Sequence, residues 1–569
     1  MRRAAPIVIS ILLACLATAP AAWREPVRAR HGMVASAEKT ASQIGVDVMK
    51  RGGNAVDAAV AVAFALAVIY PSAGNLGGGG FVMIRRNDGA TTAIDYRETA
   101  PAAATRDMFV GPDGELRKGK ESSVLGYRAV GVPGTVAGMA LALKKYGSGK
   151  LSWTELIEPA RKLATDGFMI TNRTEKLLRD HQNILGPFAD SRRIFLRDGN
   201  LFREGETLRQ PELAATLGRL QKRGAREFYE GETARLIAQD MREHHGLISV
   251  DDLRNYAPKE RVPLRGNYRG YEIISMPPPS AGGAVLLEML NILEGFDLKK
   301  LHPFSADYYH LLVETMRRAY ADRAEYFGDA DFVRVPIAGI IDKAYAERQR
   351  STVRLDRATP SSEIHGGKPA GYESPETTHF TVVDADGNAV ANTYTLNGWF
   401  GAGVVAKGTG ILLNNEMDDF TSKPGAPNLY GAIQSERNSI APRKRPLSSM
   451  TPTFVLRPDG SLYFTIGTPG GTTITNTVMQ VITDVIDHGM NIQEAIDAPH
   501  LHHQWLPDEI VEEPLGFSPE TRQALEGRGH RFAPEPRNMS DLQGIMIEAD
   551  TKVRLGGSDS RQEGAAVGY

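Results

Sequence analysis

The chain has 569 residues, with 66 Lys+Arg set against 68 Asp+Glu and a formal net charge of −2, the two signs mixed along its length. That balance gives no basic stripe for nucleic acid, and 42% hydrophobic with 24% charged residues is the composition of a folded body with a large core. The length suits three or four domains or one large α/β unit with insertions, and no internal repeat or low-complexity tract argues for an array.

At the N-terminus, Arg2-Arg3 precedes an apolar run from about Pro6 to Leu16 and a string of small residues, Ala17 to Ala22. This is the pattern of an export signal, with cleavage expected at Ala19-Pro20-Ala21, so residues 1–21 are read as a signal peptide and the protein as periplasmic or secreted. The run is too short to span a bilayer comfortably. The single cysteine, Cys15, lies inside it, so the mature chain has no disulfide and rests on core packing. Leu12-Leu13-Ala14-Cys15 also loosely resembles a lipoprotein signal, which would leave Cys15 lipidated.

Helical periodicity follows at 37–50 and 55–68, separated by Gly52-Gly53 and ended by Pro71, then at 134–146, 153–166, 211–223, 231–243, 283–294 and 305–326. The first half therefore reads as helix-rich. After Thr377 the texture changes to hairpins: 378–396, then Thr453–Leu456 and Leu462–Ile466 around Pro458-Asp459-Gly460, and late strands near 544–555. One strong helix is expected from about Thr472 to Asp487. Helices with antiparallel strands between them predict a layered α+β fold.

The stretch Pro375 to Asn397 carries most information. Residues alternate from Thr378 to Val382 and from Val390 to Leu396 around an Asp-Ala-Asp-Gly-Asn turn, which predicts two antiparallel strands. A three-residue loop closed by Asp384 and Asn388 places Thr377 opposite Thr395, two hydroxyls in contact range. A two-residue Asp386-Gly387 loop would instead pair Thr377 with Leu396. A threonine hydroxyl needs a base, and a free α-amine, with a pKa of about 7.7–8.0, suits that task near neutrality. That amine exists only once the Glu376–Thr377 bond is cut; otherwise the stretch is an ordinary Thr-rich sheet edge.

The stretch resembles the gamma-glutamyltranspeptidase family. Further blocks similar to that family are Pro-Val-Arg-Ala-Arg-His-Gly-Met-Val-Ala-Ser at 26–36, Gly-Asn-Leu-Gly-Gly-Gly-Gly-Phe at 74–81 and Arg-Glu-Thr-Ala-Pro at 97–101. Leu-Leu-Asn-Asn-Glu-Met-Asp-Asp-Phe at 412–420, Lys-Arg-Pro-Leu-Ser-Ser-Met at 444–450 and Thr-Pro-Gly-Gly at 468–471 continue in order to the C-terminus. The resemblance implies a four-layer αββα sandwich of the N-terminal nucleophile hydrolase type. A large subunit, 22–376, and a small one, 377–569, would arise by self-cleavage and stay together as one unit. It implies glutathione or related γ-glutamyl compounds as donors, water, amino acids or peptides as acceptors, and no cofactor.

By the same resemblance, Thr377 is the nucleophile and Thr395 orients its hydroxyl. Gly470 and Gly471 form the oxyanion hole, although on residues alone they are an ordinary turn before a helix. Arg97 matches the clamp for the donor α-carboxylate, with Ser448 and Ser449 as hydroxyl partners; Asn397, Glu416 and Asp419 match the ammonium site. Taken singly, Arg97 reads as a surface arginine and Asp418-Asp419 as a solvated turn. The polar run after Lys423 resembles a lid with Tyr430 at its gate, a feature expected to be absent from cephalosporin acylases. His500, His502 and His503 have the spacing of a strand rather than of a zinc site, and the 384–388 cluster lacks the closing glutamate of a calcium loop. Gly77 to Gly80 lacks the Lys-Ser/Thr of a phosphate loop and reads as close backbone packing. Two rival readings are a β-lactam acylase and an exported binding protein.

Overall fold

The computed structural model describes residues 24–367 and 379–569. The signal segment lies outside them, as do Glu376, Thr377 and the bond between these two.

Two seven-stranded antiparallel sheets stack face to face. One runs, in spatial order, Val27–Ala29, Arg554–Ser558, Gln543–Ile547, Leu462–Gly467, Thr453–Leu456, Tyr271–Ser275 and Leu264–Tyr268. The other runs Ala565–Gly568, Met33–Ser36, His379–Val383, Ala389–Thr395, Gly79–Arg85, Thr91–Asp95 and Lys259–Arg261. Met33, Phe81, Met83, Ile274, Phe454 and Ile545, all fully buried, fill the space between the sheets. A buried phenylalanine contributes about 1.5–3 kcal/mol by transfer alone.

Helices cover both outer faces. Ala55–Ile69 is apolar all round and buried along its whole length, as a helix enclosed on every side must be. It packs with Phe380, Val382, Val390 and Tyr394 of the second sheet. Its start is fixed twice: Asn54 closes a capping box with Asp57, and Asp384 from the hairpin turn accepts the Ala55 N–H at 2.9 Å. Gly282–Leu293 and Thr473–Ile486 lie over the first sheet. The result is the four-layer αββα sandwich, an α+β fold.

The expected helices form within a residue or two of their sequence bounds, from Lys39–Lys50 to Ala306–Tyr326. The first half is helix-rich as expected, but the reading missed its strands: seven of the fourteen sandwich strands precede residue 367. They are short, and Gly79–Arg85 is buried at every position, so no period of two marks it. Each sheet takes strands from both sides of the 376–377 bond.

Candidate functional site

The hairpin adopts the three-residue loop: His379 faces Thr393 and Val383 faces Ala389, with the Asp384 N–H donating to Asn388 O at 3.0 Å. Asp384 Oδ1 accepts the Asn388 N–H at 2.9 Å and fixes the turn. This is the register that a Thr377–Thr395 pairing requires, although Thr377 itself lies outside the described residues. On its other side the strand bearing Thr395 runs along the glycine tract, with Thr395 opposite Gly79. A Cβ at Gly78 would stand 1.9 Å from the Thr395 carbonyl oxygen, and one at Gly80 2.3 Å from that of Thr393. The tract is thus a close backbone contact that only glycine allows. Thr395 Oγ1 accepts the Asn397 N–H at 2.7 Å, which holds Asn397 in a left-handed conformation at φ 73°. His379, beside this end of the strand, is kept neutral: burial lowers its imidazole to about 3.

Gly470 and Gly471 form the turn into Thr473–Ile486, with φ of 139° and 62°. Neither N–H donates to an acceptor among the described residues. Two adjacent N–H groups at a helix N-terminus suit a negative oxygen. Thr473 Oγ1 secures the turn by donating to Gly470 O at 2.9 Å and to Met539 O at 2.8 Å.

A second group of residues lies deeper. Arg97 is fully buried, its Nη1 at 2.5 Å from Glu416 Oε1 and its Nη2 at 2.5 Å from Asp419 Oδ2. Glu98, also fully buried, stands 3.9 Å from Arg97 Nη1. The short helix Glu416–Asp419 supplies both acids, and neither Arg97 nor Asp419 is the exposed group that composition alone suggests. Three carboxylates around one guanidinium in a dry site cannot all ionise freely. Burial pushes Glu98 up to about 7 against the opposing pull of Arg97. Burial likewise raises Glu416 and Asp419, again opposed by Arg97. Ser448 and Ser449 are buried close by, and the Arg97 Nη2 also reaches Leu447 O at 3.3 Å.

The segment after Lys423 closes over these residues. Asn428 Nδ2 donates to Asp419 Oδ1 at 3.3 Å, and the Leu429 N–H to Asp418 Oδ2 at 2.8 Å. The Tyr430 hydroxyl donates to Asn397 O at 2.9 Å, and its ring covers Gly471, where a Cβ would come within 2.5 Å of it. Beside Tyr430 a cavity of about 430 Å³ opens, lined by Thr395, Asn397, Gly470 and Gly471. Its lining also includes Arg173, Trp399, Arg537, Met539 and Asp541, none singled out from sequence. Trp399 lies two residues beyond Asn397 and was within reach of that reasoning; the others carry no motif. Glu98 was missed although it adjoins Arg97.

The histidines read as a strand are partly so, in Leu501–His502. His502 Nδ1 meets Asn476 Nδ2 at 2.7 Å, and His503 Nε2 lies 3.2 Å from Asp508. Burial lowers His502 to about 3 and His503 to about 4.

Comparison with known proteins bears on the whole arrangement. The family model described as gamma-glutamyltranspeptidase matches residues 41–569. The chain belongs to the gamma-glutamyltranspeptidase family. It is 50% identical over 546 residues to a glutathione hydrolase proenzyme of Escherichia coli K12, covering 96% of this chain and 93% of that one. Among solved structures, a cephalosporin acylase from Bacillus halodurans superposes with a TM-score of 0.85 at 27% identity, over 97% of this chain and 98% of that one. The gamma-glutamyltranspeptidase of Helicobacter pylori gives 0.57 at 43% identity, over 62% of this chain and 97% of that one. The blocks resembling the gamma-glutamyltranspeptidase family thus fall in two neighbouring places: Thr395, Asn397, Gly470 and Gly471 on the cavity, and Arg97, Glu416, Asp419, Ser448 and Ser449 buried together beside it.

Proposed function

We propose that this chain is a self-cleaving γ-glutamyltransferase and glutathione hydrolase. The observation that carries the reading is the buried Arg97 held between Glu416 and Asp419 beside a cavity floored by unengaged glycine N–H groups. A γ-glutamyl head group bears one carboxylate and one ammonium. Inserted here, it exchanges an internal ion pair for two: carboxylate on Arg97, with Ser448 and Ser449 as hydroxyl partners, and ammonium on Glu416, Asp419 and Asn397. The exchange conserves charge, so its desolvation cost is largely met by the new pairs.

In this scheme the Thr377 hydroxyl attacks the Glu376 carbonyl, the peptide C–N bond breaks as the acyl group moves to oxygen, and water hydrolyses the ester. Residues 22–376 and 377–569 remain joined, since both contribute strands to each sheet. The freed α-amine then takes the hydroxyl proton as Thr377 attacks the donor γ-carbonyl. Gly470 and Gly471 donate to the oxyanion, Thr395 orients the nucleophile, and the departing amine leaves protonated. Water or an amine acceptor releases the γ-glutamyl group. Tyr430 shuts the donor pocket as a lid. The export reading stands beside this as part of the proposal; no helix among the described residues is long and apolar enough to cross a membrane.

The test compares γ-glutamyl and glutaryl anilides as donors for the purified full chain. A glutaryl acylase has no use for a buried acid pair, because its substrate lacks the ammonium. Strong preference for the γ-glutamyl donor is expected; equal or reversed preference would remove the ammonium site and with it this reading.

A further inference from the structure

The cavity lining holds an asymmetry of charge. Of its ionic side chains, Arg173 and Asp541 are committed to each other, Nη1 to Oδ2 at 3.0 Å, and Arg173 Nη2 also donates to the Tyr70 hydroxyl at 2.6 Å. Arg537 is exposed and lines the same cavity, and its guanidinium has no ion pair or hydrogen bond among the described residues. An anion entering the cavity therefore meets one unspent positive charge.

The backbone that carries this charge is tied to the glycine turn. Met539 O is clamped to the Gly470 turn by Thr473 Oγ1, and the Asp541 N–H donates to Thr468 Oγ1 at 3.0 Å. Arg537 lies two residues before Met539, at most about 7 Å of extended chain, and its own N–H is fixed to Glu512 O at 3.0 Å. An acceptor amine poised over the glycine turn has its carboxylate a similar distance away when it belongs to a dipeptide, about 7 Å in extended form.

On the functional reading above, we infer that Arg537 is the specificity-determining residue for the acceptor, binding the free C-terminal carboxylate of a dipeptide or other short peptide. A guanidinium suits this task because it donates two parallel hydrogen bonds to a carboxylate.

With a γ-glutamyl anilide as fixed donor, the acceptors compared are glycylglycine and glycylglycine amide, which differ only in the terminal charge. The wild-type chain is expected to show an acceptor KM about tenfold lower for the free acid, equivalent to ~1.4 kcal/mol. Arg537→Gln should bring that ratio close to one, and Arg537→Lys should retain part of it. Because the readout is a ratio within each enzyme, a general loss of activity does not mimic it. A wild-type ratio near one, or an undiminished ratio in Arg537→Gln, would overturn the assignment. Absence of any anilide turnover by the wild type would instead overturn the functional reading on which it rests.

Discussion

Donor affinity should depend on pH in a direction fixed by the buried acids. Arg97 is in contact with Glu416 and Asp419, with Glu98 behind it, and Arg323 acts on Asp419 from farther off. Burial holds Glu98 near 7, so near neutrality the cluster retains a proton that a substrate ammonium must displace. The sign follows: the proton is bound below about pH 7 and competes with the donor, so affinity is full above that value and falls as the pH drops through it. For one proton released from a group of pKa near 7, KM scales as one plus the protonated-to-ionised ratio, which gives about a tenfold rise in KM from pH 8 to pH 6. The assay is KM for a γ-glutamyl anilide across that range, with calorimetry in two buffers of different ionisation enthalpy to count released protons. Glu98→Gln removes the carboxyl held near 7 and should weaken the pH dependence, while Glu416 and Asp419, raised in the same direction, retain part of it. A wild-type KM independent of pH, or net proton uptake on binding, would refute the reasoning.

Other expectations test separate parts. Gly470→Ala places a Cβ 2.3 Å from Met539 O at a φ of 139°, so the turn must shift; kcat should fall about 10²–10³-fold with KM little changed, as for loss of one oxyanion donor. Tyr430→Phe deletes the 2.9 Å bond to Asn397 O, ~0.5–1.5 kcal/mol of lid closure, so donor KM should rise about two- to tenfold while processing on a denaturing gel is unchanged. Phe454→Ala, between the sheets, should cost about 3–5 kcal/mol, read as an earlier thermal or denaturant unfolding transition.

Much of this was legible in the sequence because local signals agreed with the fold. The Asp384 turn fixed its hairpin through side-chain bonds to its own backbone, and the long amphipathic helices announced themselves by period. The strands at 33–36 and 79–85 did not, since a strand buried on both faces has no alternation to read, and the three residues at 27–29 are too few to show one. At the site, family-like blocks located Arg97, Glu416 and Asp419, whereas nothing in those residues taken singly revealed that they pair in a dry cluster. Arg173 and Asp541 were invisible because they meet only through long-range packing, and Arg537 carries no motif.

In the proposed chemistry Thr377 must become an amino terminus. Intact-mass measurement and N-terminal sequencing of purified wild-type and Thr377→Ala proteins test this most directly. The wild type should yield two chains, one beginning Thr-Thr-His-Phe, and turn over a γ-glutamyl anilide; the variant should remain a single inactive chain. Full activity in an uncut wild-type chain, or normal cleavage of the variant, would contradict it.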